Sequence, residues 1–457
     1  MAHTSSLLLI ALLAWGASTV PARAQEIQQT TQPQAQQAPQ PVRPPFPNRL
    51  NEVLPPWLRA RGEFRDRMEG FTNAGFTSGR DDLYWLNRFR LNATIQPSRL
   101  FAFSVQAQDA RVQKKTVGST GPPFRDVFDL RMAFADVGDP QQSPFLVRVG
   151  RQELAFGEQR LVGHLSWLNT ARTFDAMRLT IRRKRFQMDA FGSSVVSVQD
   201  AKFNRSGFGS RFFGAYGSAN ALVPQSTIEP YIFYRLGRGL KSELGPVGDL
   251  KAATIGARWV GKLPARLDYG TEVAVQTGSL GADTVRAWAG HWQVRHTLST
   301  KHGLRLVGEY NYASGDSDPL DGKRETFDQL YPTGHDKYGL ADQVGWRNIH
   351  HLRSGLEVTP RQGLVVNGSY HSWWLAETRD GLYNAGGAVI AQVPGGAADR
   401  HVGQEIDAQA SYALSAQVQV GGGYAHIFPG QFLKRATPGS AYGYPYVMVT
   451  YIFLAER

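Results

Sequence analysis

Apolar and polar side chains alternate with a period of two along most of this chain, from Trp57 to Phe453. The alternation is clear in YWLNRFRLNATI at 84–95 and in QEIDAQASYAL at 404–414. A helix would scatter the two kinds of side chain around its circumference, whereas a strand places them on opposite faces. About eighteen such segments of ~10–13 residues follow one another, so the sequence predicts an all-β fold.

The connections between the predicted strands alternate between short and long. The short ones are QPSR at 96–99, RRK at 182–184, LSTKH at 298–302 and TPRQ at 359–362, and the long ones are 68–82, 112–125, 155–172, 237–249, 314–344 and 377–401. A barrel that crosses a membrane has tight turns on one side and long loops on the other, and its tilted strands cross an apolar band of ~25 Å. We therefore predict a transmembrane up-and-down antiparallel β-barrel of about eighteen strands, with both ends of the barrel chain in the periplasm.

The N-terminus has the features of a secretory signal. SLLLIALLAWGA at 6–17 is too short to span a bilayer as a helix, and Ala22 and Ala24 have the spacing of a signal-peptidase site. We predict a signal peptide at 1–24, a disordered Gln- and Pro-rich lead-in at 25–56, and a barrel domain at 57–457. A secreted chain with this strand pattern belongs in the bacterial outer membrane.

One predicted strand carries a row of arginines in WLRARGEFRDRMEG at 57–70. In a strand, Arg59, Arg61, Arg65 and Arg67 share one face. Facing lipid near mid-membrane, each would cost ~2–4 kcal/mol, so together they would cost on the order of 8–16 kcal/mol. Because a whole domain is stable by only ~5–15 kcal/mol, this face must line the lumen.

Other arginines fall on the same faces or flank the long loop at 155–172, and we predict that this set binds an anionic substrate. The predicted substrate-binding residues are Arg59, Arg61, Arg65, Arg67, Arg88, Arg90, Arg131, Arg148, Arg151, Arg178, Arg182 and Arg258. The alternative is structural, because barrel walls also use Arg–Asp and Arg–Glu pairs to hold strands and loops in place. The same two interpretations apply to the loop at 155–172: its arginines either contact the substrate or hold the loop to the barrel wall.

Two stretches resemble the alginate-export type of outer-membrane protein. They are RVGRQELAFGEQRLVGHLSWLNTARTFDAMRLT at 148–180 and YASGDSDPLDGKRETFDQLYPTGHDKYGLADQVGWRNIHHLRSGL at 312–356. The resemblance implies an eighteen-strand barrel with an arginine-rich, anion-selective lumen. It also implies passage of a polyuronate, with alginate as the namesake substrate.

Other classes of function have little support in the sequence. There is no cysteine, and no nucleophile elbow, phosphate-binding loop or dinucleotide fingerprint occurs. The histidines lack metal-ligand spacing, and GDSDPLDG at 315–322 lacks the ligand pattern of a calcium loop. We therefore predict that the chain is not an enzyme and has no cofactor or metal.

Three hypotheses remain for the function of the barrel. The first is facilitated diffusion of an anionic polysaccharide such as an alginate-like polyuronate. The second is a general or uptake porin for small anionic solutes or oligosaccharides, and the third is a barrel for adhesion or scaffolding. We expect a monomeric barrel in outer-membrane lipid that binds no nucleic acid and, as an exporter, works with periplasmic secretion partners.

Overall fold

The structure is a computed structural model, and it describes residues 49–243 and 245–454. Nearly all of them lie in strands or in the loops between strands. The strands are β1 (Leu58–Phe71), β2 (Asp82–Ser98), β3 (Phe101–Gln113), β4 (Asp126–Val137), β5 (Phe145–Gln152), β6 (Phe174–Arg183), β7 (Phe186–Ser197), β8 (Arg205–Asn220), β9 (Ser226–Lys241), β10 (Val247–Leu263), β11 (Leu267–Leu280), β12 (Asp283–Ser299), β13 (Leu304–Ala313), β14 (Lys323–Arg324), β15 (Ile349–Arg361), β16 (Leu364–Leu375), β17 (Leu382–Tyr383), β18 (Val389–Ala391), β19 (His401–Ala413), β20 (Val418–Pro429) and β21 (Tyr442–Phe453).

Eighteen of these strands form a closed antiparallel barrel, which confirms the predicted fold. Each barrel strand pairs with the next along the chain, and β1 pairs with β21 to close the circle, with Arg65 opposite Thr450. The short strands lie in loops: β14 adds to the edge of β12, while β17 and β18 form a small hairpin of their own. Closure removes the free edges that an open sheet of this size would expose.

The two faces of the wall follow the alternation in the sequence. On β2, Phe89 and Leu91 are 41% and 40% exposed and point outwards to the lipid, while Arg88 and Arg90 point inwards and are only 3% and 7% exposed. The low exposure of the arginines means that the lumen beside them is filled by other parts of the chain.

The connections between strands differ in length at the two ends of the barrel. Among the short ones are 99–100, 184–185, 264–266 and 362–363, and the longest are 114–125, 153–173, 314–348 and 376–400. The predicted long link at 237–249 is wrong, because β9 extends to Lys241 and β10 begins at Val247, which leaves only 242–246. Residues 281–282 form another short connection at the end of the barrel that carries the long loops. Gly281 makes this turn with a φ of +58°.

In the part of the chain that the structure describes, helix is confined to short segments. They are α1 (Leu50–Val53), α2 (Gln431–Ala436) and a 3₁₀ turn (Ala74–Phe76), and within the described residues no helix is long and apolar enough to cross a membrane. The side chain of Asn51 donates to the backbone oxygens of Ala60 and Leu454, at 2.7 and 2.9 Å, so the end of the predicted lead-in packs on the barrel seam. The predicted signal peptide and residues 25–48 of the lead-in lie outside the described residues.

Candidate functional site

The loop at 153–173 folds into the barrel. Its Leu154 is fully buried, and the ring of Phe156 stacks on Phe191 of β7 and Tyr216 of β8, with centroid distances of 5.5 and 4.9 Å. These wall residues are aromatic at lumen-facing positions, where a water-filled channel would favour polar side chains. An apolar contact therefore fixes the loop against one side of the wall.

The loop at 314–348 also folds inwards and joins the first loop. Tyr331 donates its backbone N–H to Leu161 O and accepts from Gly163 N, both at 2.8 Å, which gives a short parallel ladder. The indole N–H of Trp373 on β16 donates to Tyr338 O at 2.9 Å and ties the second loop to the wall. We call 153–173 and 314–348 together the inner loops.

Loop arginines bind other parts of the protein. Arg160 donates to the Glu309 carboxylate of β13 at 3.0 Å, and Arg172 donates to Pro332 O at 3.0 Å. Burial lowers the pKa of Arg172 to about 10. In the described structure these contacts fit the tethering interpretation of the loop, and Arg160 is buried.

Arginines of β1 and β2 clamp the tip of the first inner loop. Arg65 donates to Ser166 O at 3.0 Å and to Trp167 O at 2.9 Å, Arg67 donates to Trp167 O at 2.7 Å, and Arg88 donates to Ser166 O at 2.9 Å. Strand alternation places the three guanidiniums on the same inner face. The sequence predicts that face, and the structure adds the loop carbonyls as their partners.

Positive charge exceeds negative charge at this clamp. Arg88 pairs with Glu63 at 2.6 Å and Arg67 with Glu69 at 2.9 Å. Arg65 bonds to backbone carbonyls, while Arg90 donates through Nε to Gln108 at 2.7 Å. The Nη2 atom of Arg90 is buried and has no hydrogen-bond partner among the described residues. A buried donor without a partner is costly, so this guanidinium keeps an unused hydrogen-bonding group at the clamp.

Most of the other predicted arginines are paired with acids, as the structural alternative expects. The pairs are Arg131 with Glu153, Arg148 with Asp136, Arg178 with Asp189, and Arg258 with Glu158 and Glu229. Arg151 pairs with Asp175 at 2.8 Å, but the alternation along β5 puts it with Val149 on the outer face. We therefore leave Arg151 out of the proposed substrate path.

Three predicted arginines lie towards the short-turn end of the wall. Arg59 donates to Pro55 O at 2.9 Å, Arg61 is exposed, and Arg182 keeps a buried Nη1 without a hydrogen-bond partner in the described chain. None of them has a carboxylate partner among residues 49–243 and 245–454. Of these three side chains only Arg61 is exposed, while Arg59 and Arg182 are half-buried.

Comparison with known proteins agrees with this geometry. A family model described as alginate export matches residues 56–446. The chain belongs to the alginate export family. Comparison with curated protein sequences gives no match.

Solved outer-membrane proteins have the same fold as this alginate export family member. OpdO of Pseudomonas aeruginosa is 13% identical with a TM-score of 0.60, covering 87% of this chain and 97% of that one. OccK2 (OpdF) of the same organism, in complex with glucuronate, is 11% identical with a TM-score of 0.57, covering 87% and 96%. OccAB2 of Acinetobacter baumannii is 11% identical with a TM-score of 0.56, covering 86% and 98%.

The family and the fold place the protein in the bacterial outer membrane as a channel. The family and these structures are channel-type porins rather than enzymes. His164 and Ser166, which lie close together in the sequence, sit in the inner loop, where Ser166 O accepts from Arg65 and Arg88. Of the three aspartates of 315–322, Asp316 and Asp321 accept hydrogen bonds from their own loop, for example from Asp318 N to Asp316 at 3.0 Å. The Asp318 carboxylate lies 3.3 Å from Arg379.

The sequence gives no sign of two features of this site. Trp167 stacks on His335 of the second inner loop, with 3.8 Å between centroids and an angle of 7°, and the Arg67 guanidinium lies 4.0 Å from the Trp167 ring centroid. Glu158 bridges Arg258 and Arg160. Burial alone would raise the pKa of Glu158, but these two arginines outweigh it and hold that pKa well below its usual range.

Two carboxyl groups from different loops, those of Glu243 and Asp316, are neighbours at the mouth of the barrel. Burial and the neighbouring Asp316 carboxyl raise the pKa of Glu243 to about 8. A raised pKa means that the contact is fully stable below the unfolded pKa of about 4.5 and weakens as pH rises through about 8. We expect faster amide exchange in 314–326 at pH 9 than at pH 6.5, after correction for intrinsic rates, and no such difference in Glu243→Gln. Equal corrected rates in the wild type at both pH values would contradict this prediction.

Proposed function

We propose that the protein passes an anionic polysaccharide of the polyuronate class across the outer membrane by facilitated diffusion. The observation that carries this proposal is the arginine row of β1 and β2, where four buried guanidiniums, those of Arg65, Arg67, Arg88 and Arg90, pair with only two carboxylates. A polyuronate carries one carboxylate per sugar, so its charge complements a wall that has guanidinium groups in excess.

The spacing of the row suits a polymer that moves in steps. Arg59 and Arg61 lie near the short-turn end of β1, and same-face residues follow along the strand at intervals of ~6.6 Å. Short turns face the periplasm in bacterial barrels, so an exported chain would meet these two side chains first. Exposed ion pairs contribute only ~0.2–1 kcal/mol each, which allows a carboxylate to leave one arginine for the next.

A second candidate function is a porin for small anionic solutes. The packing of the inner loops on the wall favours it, because a loop held across the lumen narrows the passage that a polymer needs. The glucuronate bound in OccK2 is a single sugar carboxylate, and this solute class fits the same arginines. Both candidates use the positive wall, and they differ in the length of the solute that passes.

Block of single-channel current by uronate oligomers of increasing length tests the proposal. We expect block events that lengthen with each added uronate, while neutral oligosaccharides of equal length give short events at every length. In Arg59→Gln/Arg61→Gln the events should shorten about two- to fivefold, the effect of losing about 0.5–1 kcal/mol. Arg211→Gln is the matched control, since Arg211 is exposed on the outer face of β8.

The outcomes separate the two candidates. Block by glucuronate monomers and dimers alone, with longer oligomers excluded, would support the small-solute porin. Equal block by charged and neutral sugars would contradict both candidates, because the arginine row would then have no part in recognition.

A further inference from the structure

Three buried side chains on neighbouring strands form a cluster away from the arginine row. They are His371 of β16 and Glu405 and Asp407 of β19, each at most 6% exposed. His371 is the register partner of Glu405, and Asp407 follows on the same face of β19. One ligand atom from each of them lies within 4.8 Å of the others, and His371 Nε2 is 2.9 Å from the Asp407 carboxylate.

The two carboxylate oxygens of Glu405 have different environments. Its Oε1 accepts the backbone N–H groups of Leu340 and Ala341, at 2.5 and 3.4 Å, and so holds the second inner loop. Its Oε2 is buried and has no hydrogen-bond partner among the described residues. A buried carboxylate oxygen with nothing to bind is costly, and here it lies beside a second carboxylate and an imidazole.

The charge of the cluster is not balanced by a nearby cation. Among the described residues, no lysine or arginine forms an ion pair with Glu405 or Asp407. Arg353 lies nearby, but it donates to Ser369 at 3.0 Å and lies 3.6 Å from Glu309. Two adjacent buried carboxylates need either a shared proton or a bound cation, and a divalent ion would neutralise both.

We propose that His371 Nε2, Glu405 Oε2 and an Asp407 oxygen bind a divalent transition-metal ion of the Zn²⁺ class. One imidazole nitrogen and two carboxylate oxygens form a donor set that Zn²⁺ accepts in tetrahedral sites, with water or another group as the fourth ligand. Ca²⁺ and Mg²⁺ prefer oxygen ligands only, so the histidine argues against them. The ion would replace the hydrogen bond between His371 and Asp407.

A chain of hydrogen bonds runs behind His371, and its protons would have to shift when the metal binds. His371 Nδ1 lies 2.8 Å from His351 Nε2, and His351 Nδ1 lies 2.9 Å from the Asn311 amide. A metal-binding imidazole keeps its proton on the other nitrogen and donates it to a partner, here to His351. In the present orientation Asn311 Nδ2 faces His351 Nδ1 and also donates to Glu309 at 2.9 Å. Metal binding would therefore require the Asn311 amide to turn its oxygen towards the His351 ring and to give up the bond to Glu309.

Metal binding would also stabilise the docking of the second inner loop on the barrel wall. The loop touches the site through Gly339, where a Cβ atom would lie 2.9 and 3.0 Å from the Glu405 oxygens. With the ion on Oε2, the Glu405 carboxylate is fixed in the orientation that receives Leu340 N and Ala341 N on Oε1. Occupancy of the site and protection of the loop should therefore change together.

Zn²⁺ binding by the full barrel, purified in detergent without a histidine tag and stripped with a chelator, tests the proposal. We expect one Zn²⁺ per chain by competition with a chromophoric chelator, and at least tenfold weaker binding in His371→Asn, Glu405→Gln and Asp407→Asn. The matched controls are His296→Asn on the outer face of β12 and Glu357→Gln on β15, which should bind as the wild type does. Heat-modifiable migration on gels identifies variants that still fold.

Two wild-type measurements keep the test decisive where a variant misfolds. Co²⁺ should give the visible absorption of a low-symmetry site with nitrogen and oxygen ligands, and Zn²⁺ should slow amide exchange in 337–345. Absence of stoichiometric Zn²⁺ binding in the wild type, or equal binding in the folded cluster variants, would overturn the proposal. The anion selectivity of the proposed function does not depend on this site. Failure of the metal proposal and failure of the proposed function can therefore be told apart.

Discussion

Replacing Arg65 and Arg88 by glutamine is expected to free the tip of loop 153–173 and to raise the single-channel conductance several-fold, with frequent fluctuations between levels. These two arginines donate to the carbonyl oxygens of Ser166, Trp167 and Leu168. Hydrogen bonds from charged groups contribute about 1.5–3 kcal/mol each, so the double variant loses a large part of the energy that docks the loop. Planar-bilayer recording of the purified barrel measures the change.

The control has to separate the loss of the arginine hydrogen bonds to the loop from the loss of the neighbouring ion pair. Arg88→Gln also leaves Glu63 without its partner at 2.6 Å. Glu63→Gln alone removes that pair but keeps the bond from Arg88 to Ser166 O, so its conductance should stay close to that of the wild type. If Glu63→Gln reproduces the full effect, or if the double variant conducts as the wild type does, the arginines do not hold the loop.

The strands and their faces could be predicted from the sequence because a strand repeats every two residues and a lipid-facing wall tolerates few charges. On β2 the alternation alone puts Phe89 outside and Arg88 inside, as the exposures show. It also accounts for Arg151, which is three residues from Arg148 and so lies on the opposite face as long as β5 stays regular. The prediction for Arg151 rests on its place beside the long loop and not on its strand face.

The contacts of the lumen could not be predicted in the same way. The inner loops have no periodic pattern, so nothing local indicates that Trp167 meets His335 or that Ser166 O faces Arg65. The cluster of His371 and Glu405 has no motif spacing either, because the long loop 376–400 separates their strands and only the barrel register brings them together. Such sites arise from closure of the sheet and from the path of the loops.

A shift of ion selectivity towards cations is the second large effect that we expect. It should follow the loss of Arg59, Arg61 and Arg90, which have no carboxylate partner among the described residues. In a narrow channel with a low-dielectric wall, uncompensated guanidiniums concentrate anions and repel cations. The Debye length falls from ~30 Å at 0.01 M salt to ~3 Å at 1 M, so screening is weakest and the effect should be largest in dilute salt.

The reversal potential under a KCl gradient, measured on the purified barrel in a planar bilayer, tests the proposed anion path most directly. The wild type should prefer chloride, and Arg59→Gln/Arg61→Gln/Arg90→Gln should move the reversal potential towards that of potassium, more so in dilute salt. Arg211→Gln on the outer face should leave it unchanged. A cation-selective wild type, or a triple variant with wild-type selectivity at low salt, would contradict the account of an arginine-lined path for anions.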